Sequence, residues 1–185
     1  MKLNSETQDI WFTSDTHFGH KNILKFQPNR KFNTIDEMDD FLIKDWNSKV
    51  KPNDIVFHLG DVSWYNINKT KDIIFKLSGQ KILIKGNHDK SQIKEFFNTG
   101  HDYLNLRIDD HILILFHFPI LEWDRRHHSS FHLHGHVHGR SLGDNMGRMF
   151  DVGVDNNPNL TLFSFKEIKH RLLKIPSPKS RLGAD

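Results

Sequence analysis

Three short apolar segments in the first half of the chain each run into a polar cluster. They are DIWFTSD (9–15), DIVFHLGD (54–61) and KILIKGNHD (81–89). Short runs rich in β-branched and aromatic residues, bounded by glycine and polar residues, are typical of buried β-strands. The pattern therefore predicts three buried strands, each with polar side chains at its carboxyl end.

Helical periodicity fills the intervals between these strands. In the segment 34–50 the apolar residues recur at helical spacing, at positions 35, 38, 42, 43 and 46. Thr34 is the predicted N-cap of this helix. Further helices are predicted to start within 18–26 and to cover 68–79, where Gly79 is expected to end the helix. Alternating strands and helices predict an α/β sheet with functional residues at the carboxyl ends of its strands.

The second half of the chain changes to strands in succession. The pattern predicts strands within 103–108, 111–118, 131–136, 148–155 and 160–165, followed by a helix over 165–175. The final segment, 176–185, is short, polar and proline-bearing, which predicts a flexible tail. We therefore expect one domain over 1–175 and a tail after it.

Composition narrows the class of protein. The 185 residues are 36% hydrophobic and include 15 Phe and 4 Trp, which predicts a folded globule. No apolar run approaches the roughly 20 residues of a membrane span, and the first residues lack the layout of a signal peptide. The chain has no cysteine, which excludes disulfides and thiolate metal sites. A cytoplasmic protein without a membrane partner is the expectation.

Charge and histidine content bear on possible ligands. Lys and Arg number 26 against 23 Asp and Glu, and no long basic block predicts a stable nucleic-acid partner. The net charge of +3 is compatible with an anionic substrate, while the oligomeric state is left open. There are 14 histidines, well above ordinary usage. In a chain without cysteine, borderline divalent metals must be held by imidazole and carboxylate.

Five polar motifs follow apolar segments in a fixed order. They are DTH (15–17), GD (60–61), GNHD (86–89), HFP (117–119) and GHVH (135–138). Each motif alone is a weak signal, but their combination and order resemble the calcineurin-like metallophosphoesterase superfamily. The matching region covers about two thirds of the chain, and FTSDTHFGHKNI (12–23) resembles a small branch of bacterial and bacteriophage phosphoesterases. The resemblance implies an α+β fold, an α/β/β/α four-layer sandwich of two mixed β-sheets flanked by helices.

The resemblance also implies two divalent cations. By matching motifs, the first is expected on Asp15, His17, Asp61 and His138, and the second on Asp61, Asn87, His117 and His136. Asp61 would bridge the two cations, since one carboxylate can neutralise part of the charge of both. Imidazole, carboxylate and amide ligands suit Mn²⁺, Fe, Zn²⁺, Co²⁺ or Ni²⁺ better than Ca²⁺, and Mn²⁺ is the first expectation.

The segment FHLHGHVHGR (131–140) places histidines at every second position. In a continuous strand all four would face one side. We expect the strand to end at Gly135, so that His136 and His138 lie on a turn and reach the cations. His132 and His134 are expected to remain in the strand, as core or partly exposed residues.

His88 of GNHD is implied to assist catalysis without binding metal. It would help the leaving alkoxide depart, supported by Asp89 or another carboxylate, while a hydroxide that bridges the two cations attacks phosphorus. Protein phosphatases of the superfamily read G-D-x-x-D-R after the second strand. Here Trp64 replaces the second Asp and no Arg follows, which argues against a Ser/Thr protein phosphatase.

The first functional hypothesis is a phosphodiesterase that acts on nucleotides or other small phosphorylated compounds. Arg125, Arg126 and His20 are candidates for contacts with the substrate. Alternatives are a phosphomonoesterase, a nuclease on single-stranded nucleic acid that uses Trp64, Tyr65 or Trp123 for stacking, and a non-catalytic interaction module. The last would be expected to lack a metal ligand or His88, and this chain lacks neither.

Overall fold

Two five-stranded sheets form the centre of the fold. The computed structural model describes residues 1–143 and 146–177. The strands are β1 (Lys2–Leu3), β2 (Ile10–Thr13), β3 (Ile55–His58), β4 (Gln80–Ile84), β5 (Thr99–His101), β6 (Tyr103–Ile108), β7 (His111–Phe116), β8 (Phe131–His134), β9 (Met149–Asp151) and β10 (Phe163–Ser164). The helices are α1 (Ile23–Phe26), α2 (Ile35–Lys49), α3 (Ile67–Lys76) and α4 (Phe165–Leu173).

Both sheets are mixed. In the first, ordered β10-β2-β3-β4-β5, strands β2 to β5 are parallel and β10 is antiparallel to β2. In the second, ordered β1-β6-β7-β8-β9, only β6 and β7 pair antiparallel. The prediction of an α+β fold with two mixed sheets flanked by helices is confirmed.

Strand alternation explains two separate apolar cores. In β3, Phe57 belongs to the cluster between the sheets, whereas Val56 belongs to the cluster beneath the helices. Trp46 of α2 and Ile74 of α3 pack in that second cluster. Because both faces of the first sheet are covered, its central strands β2, β3 and β4 are rich in apolar residues on both faces.

Most predicted elements are present, with shorter bounds. Helix α2 is capped as expected, since the Thr34 hydroxyl oxygen accepts from the Glu37 N–H at 3.2 Å. Helix α3 ends at Lys76, three residues before the predicted stop at Gly79. Strands β1 and β5 are additions that the apolar pattern did not predict. Residues 178–185 of the predicted tail lie outside the described part of the chain. Within the described part, none of the helices has the length and apolar character that crossing a membrane requires.

Parallel pairing places the polar motifs at one edge. The carboxyl ends of β2, β3 and β4 point the same way, as do those of β7 and β8. A parallel bridge between Ser14 and Gly153 joins the two sheets at this edge. The loops that follow all five strands therefore meet in one place.

Candidate metal centre

The structure brings all seven predicted metal ligands to this common edge. Asp15 and His17 follow β2, Asp61 follows β3, Asn87 follows β4, His117 follows β7, and His136 and His138 follow β8. The loops are tied together by their backbone. The N–H of Asp15 donates to the Gly60 carbonyl at 2.9 Å, and the N–H of His136 donates to the Asp15 carboxylate at 2.9 Å.

The acidic and imidazole ligands form two groups. Asp15, His17 and His138 form the first group, and Asp61, His117 and His136 form the second; the ligand atoms within each lie within 4.8 Å of one another. Groups of this composition can hold divalent cations. The division matches the two predicted sites.

Asp61 lies between the two groups. Its Oδ2 atom is 3.9 Å from His17 Nε2 and 3.5 Å from His117 Nε2. Asn87 completes the neighbourhood, because its Oδ1 atom is 2.9 Å from His117 Nε2. One carboxylate oxygen thus faces an imidazole of each group, as a bridging ligand would.

Backbone strain is concentrated in these ligands. Five of them have left-handed backbone conformations: Asp15 (φ 56°), His17 (51°), Asp61 (55°), His136 (69°) and His138 (52°). Such conformations are costly for residues other than glycine and persist where the surrounding structure enforces them. Their accumulation here indicates a site whose geometry is maintained at the expense of local stability.

Gly135 is required by space rather than by its φ angle. A Cβ atom there would lie 2.0 Å from Ser14 Oγ and 2.5 Å from Asp15 Oδ2. The chain after β8 therefore passes so close to Ser14 and Asp15 that no side chain fits at position 135. The predicted interruption of the histidine strand is confirmed, and its cause is this close approach.

Burial shifts the pKa values of two side chains in the first group strongly. Asp15 is fully buried, which raises the pKa of its carboxyl to about 7. Burial likewise lowers the pKa of His17 to about 2. Among the described residues, no hydrogen bond reaches Asp15 Oδ1 or either ring nitrogen of His17. Buried polar atoms without partners are costly, and a divalent cation is the kind of group that would satisfy Asp15 Oδ1 and one ring nitrogen of His17 together.

The second group is already hydrogen-bonded. Burial alone would raise the pKa of Asp61, but the hydrogen bond and charge of His117 outweigh it and lower the pKa to about 2. His117 Nδ1 donates to the Leu59 carbonyl at 2.7 Å. Its Nε2 therefore faces the acceptor oxygens of Asn87 and Asp61, where either a proton or a cation must lie.

A buried Arg30–Asp155 pair supports the first group. The guanidinium donates to both oxygens of Asp155, at 2.7 and 2.6 Å. It also donates to the carbonyls of Asp15 (2.6 Å) and Thr16 (3.0 Å). Asp155 in turn accepts from His138 Nδ1 at 2.7 Å, which leaves the Nε2 lone pair of His138 free for a cation.

Sequence reasoning did not identify this pair. Asp155 ends the predicted strand in 148–155, and its place there left a supporting role near the site open, but the sequence connects it neither with Arg30 nor with His138. Arg30 lies in the loop 27–34, outside every motif. The one signal that could have indicated Arg30 is an arginine shortly after the first motif, which many unrelated chains share.

His88 lies at the edge of the joined groups. Its backbone N–H donates to Asp61 Oδ1 at 2.9 Å, and its exposed imidazole contacts the Trp64 ring with centroids 4.4 Å apart. Asp89 does not support this imidazole, because its carboxylate accepts from the N–H groups of Asp61, Val62 and Gly86. Trp64 therefore occupies the neighbourhood where a supporting carboxylate was expected.

The substrate-contact candidates have different surroundings. The His20 ring stacks on Trp64 beside the site, with centroids 4.1 Å apart. Arg126 is buried, pairs with Glu122 at 2.9 Å and packs on Trp123. Arg125 is exposed, and within 1–143 and 146–177 no hydrogen bond, ion pair or ring contact joins it or Arg126 to a predicted ligand. His20 is thus the candidate that the structure places at the site.

The strand histidines are core residues, as predicted. His132 is fully buried, with Nδ1 bonded to the Ile114 carbonyl (3.0 Å) and Nε2 accepting from the Ile120 N–H (3.0 Å). His134 is also buried and bonds the Gly135 carbonyl at 3.0 Å. Both imidazoles therefore hydrogen-bond backbone atoms of the second sheet and of the loops that follow its strands.

The sequence has relatives in archaea and bacteriophages, although no family model matches it. The uncharacterized protein MJ1445 of Methanocaldococcus jannaschii is 34% identical over 137 residues, which cover 73% of this chain and 72% of that protein. Gene 66 protein of Mycobacterium phage D29 is 29% identical and covers 80% of this chain and 88% of the phage protein.

A solved structure agrees with the fold. AQ665 of Aquifex aeolicus, a protein of unknown function, is 28% identical, with a TM-score of 0.73 over 89% of this chain and 99% of that chain. The five motifs keep the order of the calcineurin-like metallophosphoesterases that they resemble, and the chain belongs to the family of the M. jannaschii protein MJ1445.

Proposed function

We propose that this protein is a dinuclear metal-dependent phosphodiesterase that hydrolyses nucleotides or other small phosphorylated compounds. The observation that carries the proposal is the Asp61 carboxylate between two groups of acidic and imidazole side chains. The first cation would be held by Asp15, His17, Asp61 and His138, and the second by Asp61, Asn87, His117 and His136. The mixed ligand set favours Mn²⁺ as the first metal to test.

The residues divide the work between binding and proton transfer. When bound, the two cations would polarise the phosphoryl oxygens and make water a better nucleophile. The exposed imidazole of His88, fixed by its backbone bond to Asp61, donates a proton to the leaving oxygen. Trp64 holds one side of this imidazole by ring contact.

Local charge favours a diester over a monoester. A phosphomonoester carries close to two negative charges at neutral pH, whereas a diester carries one. Among the described residues, Arg30 donates to the Asp15 carbonyl and is matched in charge by Asp155, and Arg140 donates to the Val137 carbonyl between two ligand histidines. Within the described residues neither guanidinium hydrogen-bonds a ligand side chain, so the monoanionic diester is the better-matched substrate.

The test is a comparison of two chromogenic substrates. Protein treated with EDTA and reloaded with Mn²⁺ should hydrolyse bis-p-nitrophenyl phosphate with a higher kcat/KM than p-nitrophenyl phosphate. His88→Ala should retain the bound Mn²⁺ but lower kcat by about a hundredfold or more. His170→Ala, which removes an exposed histidine of α4, is the matched control and should leave both values unchanged.

Three results would overturn parts of the proposal. A preference for the monoester would favour a phosphomonoesterase. Absence of hydrolysis of both esters would favour a non-catalytic module. Full activity of His88→Ala would remove the role assigned to that imidazole.

A further inference from the structure

Two half-exposed aromatic rings flank the ligand groups. Trp64 is 40% exposed, and its ring lies 5.0 Å from that of His17 in the first group. Phe118 is 37% exposed, and its ring lies 4.6 Å from that of His136 in the second group. Each ligand group therefore has its own aromatic neighbour.

The two rings are separately supported. Trp64 stacks on His20 with an interplanar angle of 7°. Phe118 packs against Phe116 at 5.6 Å and against His117 at 5.0 Å. No ring contact joins Trp64 to Phe118 within the part of the chain that the structure describes. They form two aromatic walls, one beside each ligand group, and both are held in place before any ligand binds.

The exposure of Trp64 contrasts with other tryptophans of the chain. Trp46 is 2% exposed and Trp123 is 7% exposed. Leaving a large apolar surface in water beside a polar site forgoes the free energy of its burial. A ligand that covers the ring on binding would recover that free energy.

We propose that the substrate is a phosphodiester between two nucleosides whose bases are free to stack, as in a dinucleoside monophosphate or a single strand. The phosphate would lie at the joined ligand groups, with one base against Trp64 and the other against Phe118. Nucleic-acid bases stack on exposed aromatic side chains in this way, largely without regard to sequence. This inference rests on the proposed phosphodiesterase activity and narrows its substrate class.

The position of His88 selects the leaving nucleoside. Its imidazole contacts Trp64, whereas Phe118 contacts His117 and His136. Water adds its oxygen to phosphorus, the ester P–O bond on the Trp64 side breaks, and His88 gives a proton to the departing oxygen. The products are a free nucleoside from the Trp64 side and a nucleoside monophosphate from the Phe118 side.

The experiment compares substrates with two bases and with one. Dithymidine monophosphate is compared with the two thymidine methyl phosphates, in which either nucleoside is replaced by methyl. The Mn²⁺-loaded variants are Trp64→Ala, Phe118→Ala and the control Phe75→Ala, which removes a 63% exposed ring on α3. Trp64→Phe and Phe118→Tyr keep a ring and guard against loss of folding.

Each wall should matter only for the base that it faces. Trp64→Ala and Phe118→Ala should each lower kcat/KM for dithymidine monophosphate about tenfold, chiefly through KM. For a given methyl ester, only one of the two variants should have this effect. Because Trp64 also contacts His88, the informative quantity is the ratio of the substrates for one enzyme, from which a general loss cancels.

Three kinds of result would count against the inference. Equal effects of a wall variant on all three substrates, or effects no larger than that of Phe75→Ala, would overturn the two-wall assignment while the phosphodiesterase proposal stands. If the wild-type protein cleaves none of these esters and also fails on bis-p-nitrophenyl phosphate, the phosphodiesterase proposal itself fails. Equal cleavage of a strand alone and in a duplex, where the bases are not free to stack on the walls, would also count against the assignment.

Discussion

The two ligand groups differ in how well their polar atoms are satisfied by the protein itself. In the first group, no described residue hydrogen-bonds either ring nitrogen of His17, and burial raises the pKa of Asp15 to about 7. In the second, His117 is bonded at both ring nitrogens, and the pKa of Asp61 is lowered to about 2. The first group is therefore unfavourable until a cation binds, whereas the second can be stabilised by a single proton on His117.

This difference indicates that preorganisation is achieved in two ways. The first group depends on a buried support, in which Arg30 holds Asp155 and Asp155 holds His138. The second depends on direct bonds among its own members and the backbone. We expect the cation of the first group to contribute more to folding stability, because it satisfies atoms that nothing else reaches.

The largest effect is expected where the groups meet. Asp61→Asn removes the shared carboxylate and should lower phosphodiesterase kcat/KM at least about a thousandfold, with loss of metal from both groups. Metal content and kinetics measured on the same samples check this. Asp124→Asn, which changes an exposed carboxylate bonded to Asn105, should behave like the wild-type protein. Loss of one metal with activity retained would show that Asp61 does not serve both groups.

A second prediction contrasts the two carboxylates in EDTA-treated protein. The folded-state pKa of Asp15, about 7, lies above its unfolded value near 3.8, so ionisation opposes folding and stability falls as pH rises between those values. Asp15→Asn should therefore stabilise the protein, by up to roughly 4 kcal/mol at pH 8 and by less at pH 5. Urea denaturation at both pH values measures it.

The same substitution at Asp61 should change folding stability in the opposite direction. Its folded-state pKa is lowered to about 2, so its ionised form favours folding at every pH above about 4. Asp61→Asn should destabilise the EDTA-treated protein at both pH 5 and pH 8. If the two substitutions change stability in the same direction, the contrast between the groups is wrong.

Substitutions in the Arg30–Asp155 pair, which supports the first group, should have a smaller effect. Asp155→Asn should lower the affinity of the first group for its cation about 10- to 100-fold, since residues that orient a metal ligand commonly contribute this much to metal affinity. Calorimetric titration with Mn²⁺ should show one weakened and one unchanged site. Arg30→Lys, which keeps the charge but loses the bidentate geometry, should reproduce the change in part. Equal weakening of both sites would indicate a general loss of structure.

The smallest effect belongs to Asn87. Its side chain is exposed and neutral, and it contributes one oxygen beside His117. Asn87→Ala should lower the cation affinity of the second site about 2- to 10-fold and leave that of the first site unchanged. The same titration resolves it, and a change confined to the first site would contradict the predicted ligand division.

Local patterns predicted much of the fold because they report burial directly. The apolar runs at β2, β3 and β4 have both faces covered, and Thr34 caps α2 through its own side chain. Strands β1 and β5 were missed because they are short edge strands whose pairing depends on distant partners rather than on their own pattern. The convergence of the seven predicted ligands was anticipated from the motif order.

The sequence by itself determined which residue types are available for the site and that they follow strands. Only the tertiary structure decided that Arg30 and Asp155 meet behind His138, that Trp64 and Phe118 flank different groups, and that five ligands take left-handed backbone conformations. Periodicity and motifs are properties of neighbours along the chain. Burial, charge pairing and ring contact depend on residues that are separated along the chain, by 125 positions for Arg30 and Asp155, and only the packing of the fold brings them together.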